Sequence, residues 1–108
     1  METRQSDYLT LASGALSRGD YLTALQFGLW AAGTSGQELQ TRCDAYLVLA
    51  ITSLELGAPE DALGYAVGAH LMACQAEDEP REGQAAALVA VIVAHYPHLG
   101  EPIDAQTH

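Results

Sequence analysis

Two stretches of this chain repeat each other at a single offset. Tyr8-Leu9-Thr10-Leu11-Ala12 aligns with Tyr46-Leu47-Val48-Leu49-Ala50, and Gly19-Asp20-Tyr21-Leu22-Thr23-Ala24-Leu25 aligns with Gly57-Ala58-Pro59-Glu60-Asp61-Ala62-Leu63. Both alignments place the copies 38 residues apart. A repeat of this length is one supersecondary unit that buries its apolar face against the next. A third, shorter echo sets Leu56-Gly57-Ala58-Pro59-Glu60-Asp61-Ala62 against Leu99-Gly100-Glu101-Pro102-Ile103-Asp104-Ala105. The offset predicts an array of like units, with a third unit that begins at the fifth helix and is cut short after its turn.

Each unit reads as helix, tight glycine turn, helix. Ala and Leu dominate the sequence, and both are strong helix formers. The first helix spans about 6–18, with Tyr8, Leu11, Ala12, Ala15 and Leu16 on one stripe. The second starts at the N-cap Asp20, with Tyr21, Ala24, Leu25, Gly28, Ala31 and Ala32 on its stripe, and breaks at Gly33-Thr34-Ser35-Gly36. The third runs from about Gln37 to Leu56 and repeats the first helix's spacing at Tyr46, Leu49, Ala50, Ser53 and Leu54. The fourth opens at Pro59, carries Ala62, Leu63, Ala66, Ala69 and His70 inward, and fades into a solvated acidic loop, Glu77-Asp78-Glu79-Pro80. The fifth covers about 81–96 and is apolar all round from Ala85 to Ala94.

This pattern resembles the tetratricopeptide repeat family, whose unit reads W-x2-L-G-x2-Y, then A-x3-F, then A, closing on P. The first unit offers Tyr8, Leu11, Ala12 and Ala15, then Ala24, Gly28 and Ala31. The second offers Tyr46, Leu49, Ala50 and Ser53, then Ala62, Ala66 and Ala69. Both units lack the later aromatics and the closing proline, and the period is longer than the family's by a linker near Gly33–Gln40. The resemblance implies an all-α, right-handed superhelical stack of two and a half repeats: one over about 5–36, one over about 37–76, and a half repeat or capping helix over about 81–105. A plain helical bundle is the alternative architecture.

The resemblance also implies a concave groove lined by the first helix of each unit. The matching positions are Leu9, Ser13, Leu16 and Ser17, then Leu47, Ile51, Leu54 and Glu55. Family members that capture a C-terminal carboxylate use Lys, Arg and Asn there; these positions carry none, and the whole chain has no Lys or Asn. An apolar groove with an acidic rim suits a protein or peptide segment bearing basic residues, and the alternative is that the fifth helix or a dimer partner fills it.

Charge narrows the partners. Fourteen Asp and Glu face four Arg, a net charge of −10, so neither a phosphate backbone nor an anionic membrane surface attracts this chain. The longest apolar run, Ala85 to Ala94, is half of what a bilayer span needs, roughly 20 residues. Residues 1–8 have no apolar signal-peptide core, and two cysteines without CxxC spacing fit a reducing, cytoplasmic location.

A helix that is apolar all round has to be covered on all sides. Leu88, Val89, Val91, Ile92 and Val93 do not fit one face, so the fifth helix calls for a second copy of the protein in a homodimer, a partner, or the tail 98–108 folded back; the alternative is that its alanine-rich part faces solvent. A second contact patch is read at Leu22, Leu29 and Trp30, with Trp30 packing on the 33–40 linker as its plainer role.

Catalysis and metals find little support. His70 lies on a packing stripe and reads as a core histidine; Pro97 separates His95 from His98; Cys43 and Cys74 read as small helix residues; and Glu77, Asp78, Glu79 and Glu82 read as a solvated charge run. No catalytic residue, metal or cofactor is expected, with divalent-ion binding at the 77–82 charge run as a remote alternative. The expected function is that of a protein-interaction adaptor or scaffold. A chaperone escorting an aggregation-prone, secretion-type client is the alternative, and an enzyme's accessory domain a distant one.

Overall fold

The computed structural model describes residues 5–33 and 38–100. Among them are five α-helices, α1 (Gln5–Ser17), α2 (Tyr21–Gly33), α3 (Leu39–Glu55), α4 (Pro59–Gln75) and α5 (Glu79–His95), followed by a 3-10 turn, Pro97–Gly100. The described residues contain no strand, and no helix is long and apolar enough to cross a membrane.

Each helix packs on the next in sequence, and α3 also touches both α1 and α5. The odd-numbered helices thus run side by side, with α2 and α4 against them. The result is elongated, 56 × 31 × 22 Å.

Alanine makes this packing possible. Ala12, Ala15, Ala24, Ala31, Ala62, Ala66 and Ala69 are fully buried, while Leu49 and Ile92 are the largest fully buried side chains. At Gly28 of α2 the approach is closer still: a Cβ there would lie 2.8 Å from Cδ2 of Leu49 on α3. Small residues bring the axes together but bury little area each, at about 25 cal/mol per Å2 of apolar surface. Half-buried larger side chains complete the seal. Leu54, Leu63, Tyr65, Leu88, Val89, Tyr96 and Leu99 pack around Ala50, Ala62, Ala66 and Ile92.

Three of the turns share one hydrogen-bond pattern. After α1, Asp20 N–H donates to Ala15 O (2.9 Å) and Gly19 N–H to Leu16 O (3.1 Å). After α3, Ala58 donates to Ser53 (2.8 Å) and Gly57 to Leu54 (3.1 Å). After α4, Asp78 donates to Ala73 (2.9 Å) and Glu77 to Cys74 (3.1 Å). This paired closure satisfies the last helical carbonyls and puts one residue in the left-handed region. Those residues are Gly19 (φ 78), Gly57 (φ 79) and Glu77 (φ 53).

The third turn corrects the reading of 77–80 as a solvated acidic loop. Asp78 is the N-cap of α5, accepting from Arg81 N–H, and Glu79 and Pro80 form its first turn. The sequence hides this turn because its left-handed residue is Glu rather than Gly. Two further expectations shift. Leu11 stands 47% exposed instead of packing on the first helix's stripe, and residue 37, the expected start of the third helix, lies outside the described residues along with 34–36 and 101–108.

Candidate functional site

Residues expected in two separate roles meet in one groove. Leu47 and Ile51 of α3 face Gln84, Ala87, Leu88 and Val91 of α5 across an open apolar cavity of about 370 Å3. A second cavity, about 210 Å3, is lined by Leu54, Val91, Ile92, His95 and Tyr96. Val91 borders both, so the two form a strip along the α3–α5 face. Leu47, Ile51 and Leu54 come from the expected groove; Leu88 and Val91 come from the expected outer surface of the fifth helix.

The strip exists because α3 and α5 touch without closing. Ala87 leaves room where a larger apolar residue would reach across the cleft. Ile51 and Val91 stand 40% and 49% exposed, while Leu47, Leu54 and Leu88 are half-buried. Glu55, exposed one turn after Ile51, supplies a negative charge near one end. The other half of the expected groove lies on α1, with Leu9 and Leu16 half-buried and Ser13 and Ser17 exposed.

The remaining fifth-helix residues lie mostly inside the chain. Ile92 is fully buried in its core, Val89 packs against that core, and Val93 is half-buried. Ile92 is therefore a core residue rather than part of an outer interface. α4 takes one side of the helix, Tyr96 and Leu99 join the same cluster, and the outward faces carry Ala86, Ala87, Ala90 and Ala94. Val91 is the only one of the five that is exposed.

On α2, Leu22 is 72% exposed and Leu29 and Trp30 nearly half. The Trp30 ring rests on Tyr8 (centroids 5.6 Å apart) and Phe27 (5.4 Å) rather than standing alone. The linker residues 34–37, its expected neighbours, lie outside the described residues.

Neither cysteine is placed as a nucleophile. Cys43 is fully buried and donates to Ala69 O at 3.3 Å; burial, then the Asp44 carboxylate, pushes its thiol up. Desolvation and the Glu82 carboxylate do the same to Cys74. A reactive cysteine needs the opposite shift.

His70 is not the core histidine its stripe suggests. Its side chain is 37% exposed, with Nε2 4.0 Å from Glu82 Oε1 and Nδ1 3.8 Å from Cys74 Sγ. Ligand atoms of His70, Cys74 and Glu82 lie within 4.8 Å of one another. Sequence reading missed this cluster because it treated the three residues apart and read Glu82 as part of a solvated charge run. The only visible signal is the i, i+4 spacing of His70 and Cys74.

Comparison with family models, with curated proteins and with solved structures gives no match.

Proposed function

We propose that this chain is a tetratricopeptide-like interaction module that holds an apolar, basic-flanked partner segment in the α3–α5 groove. The observation that carries the reading is the convergence of Leu47, Ile51, Leu88 and Val91 on one open apolar cleft. The repeat-like architecture draws support from turns that recur 38 residues apart after α1 and α3, and from α3 touching both α1 and α5.

Charge favours a different chain over a second copy. Two copies at −10 each repel. Arg81, at the groove end of α5, is already engaged by Asp44 and Asp78, so it offers no counter-charge to an acidic partner. An amphipathic helix with leucines on one face and lysines on the other fits both the lining and the field.

The test uses two labelled synthetic helices with the same Leu face, one with Lys and one with Glu on the polar face. Anisotropy titrations should show saturable binding of the Lys peptide alone, lost in a Leu47→Glu/Ile51→Glu variant that keeps its helical circular dichroism. Equal binding to wild type and variant would reject the groove. Equal binding of the two peptides would reject the role of charge.

A further inference from the structure

We propose that His70, Cys74 and Glu82 form a site for a zinc-type divalent ion that clips α4 to α5. The inference stands apart from the groove and does not depend on it.

The ligand types suit this class of ion. One imidazole, one thiol and one carboxylate make a mixed N, S, O set, which zinc and cobalt accept and which calcium and magnesium do not favour. His70 and Cys74 stand four positions apart, so α4 presents both on one face. Glu82 comes from the first turn of α5. The ligand atoms lie within 4.8 Å of one another, close enough for all three to reach one ion. All three side chains are partly open to solvent, which leaves a way in for the ion and a place for water as fourth ligand.

The repeat does not require these residues. Thirty-eight positions earlier, Ala32 and Gly36 stand where His70 and Cys74 stand in the second unit. Binding displaces the Cys74 proton, so the zinc–sulfur bond forms with release of one proton to solvent.

The experiment is a cobalt titration of the reduced full-length protein, followed by zinc competition. The expected result is one equivalent of Co2+ with a thiolate-to-metal charge-transfer band, displaced by zinc. Cys74→Ser should abolish the band, and Glu82→Gln should weaken binding by at least about tenfold, the cost of disturbing even an outer metal partner. Zinc at about 100 times its Kd should raise the wild-type Tm by roughly 10 °C and leave Cys74→Ser unchanged. Three results would each overturn the proposal: no thiolate band, a band that survives in Cys74→Ser, or a zinc-induced Tm shift equal in both proteins.

Discussion

Arg81 on α5 grips Asp44 on α3 through two parallel hydrogen bonds, Nε to Oδ1 at 2.8 Å and Nη2 to Oδ2 at 2.7 Å. Its Nη1 reaches Asp78 Oδ2 at 2.8 Å. One guanidinium therefore ties the two walls of the groove to the turn that starts α5. Both Arg81 and Asp44 side chains are about one-third exposed, so solvent screens the pair and its worth lies below that of a buried one. Arg81→Ala should cost about 1 kcal/mol in denaturant unfolding. Arg81→Lys should recover only part of it, because an ammonium cannot fork onto a carboxylate. Equal stability of all three proteins would show the grip to be decorative.

Acid should loosen the same corner. Arg81 holds the Asp78 carboxyl below its ordinary 3.8, first through the side-chain hydrogen bond and then through its backbone N–H. A lowered carboxyl contributes stability that is fully present above its unfolded value and is lost as pH falls through its folded value. The loss should therefore set in below about pH 4. Asp78→Asn keeps an N-cap but cannot titrate, so the difference in Tm between it and wild type should shrink as pH falls through that window. A constant difference would contradict the account.

The left-handed residue after α4 offers a stabilising change. Glu77 adopts φ 53 where the equivalent turns use Gly19 and Gly57. Glu77→Gly should raise stability by roughly 0.5–1 kcal/mol, the backbone relief offset by the wider freedom of glycine in the unfolded chain. Gly57→Ala should lower it by about 1 kcal/mol, although a Cβ there meets nothing within 4 Å. A thermal melt of each variant decides both signs.

Helix packing gives opposite signs to two similar substitutions. Gly64 faces open space, so Gly64→Ala should stabilise by about 1 kcal/mol through helix propensity alone. Gly28→Ala gains the same propensity but drives a Cβ into fully buried Leu49. Overpacking costs about 1–3 kcal/mol, so Gly28→Ala should be destabilising overall. Chemical denaturation measures both, and a stabilised Gly28→Ala would mean that α2 and α3 can move apart freely.

Thr52 is fully buried and its Oγ1 has no hydrogen-bond partner. Thr52→Val removes the stranded hydroxyl while nearly keeping the shape, and should raise stability by about 1 kcal/mol. Loss of stability would reveal a hydrogen bond to Oγ1 in solution.

What the sequence disclosed follows from what periodicity can encode. The offset of 38 places the turns at Gly19 and Gly57, and the turns set the helices. Glycine marks a left-handed residue, so the turn at Glu77, which lacks it, was invisible. The groove was half legible: Leu47, Ile51 and Leu54 follow from repeat position, and Val91 from the apolar run, but only the spacing of α3 and α5 shows that they share a cleft. Ile92 illustrates the limit of an apolar run, which cannot tell a core face from an open one. The His70–Cys74–Glu82 cluster needed the short α4–α5 turn, which brings Glu82 across to α4.

The most direct test of the interaction reading is methyl NMR on the isotope-labelled protein, titrated with the lysine-faced helix. The account predicts that shifts concentrate at Leu47, Ile51, Leu88 and Val91 and saturate together. Shifts concentrated instead at Leu22 and Leu29, or no saturable shift at all, would contradict it.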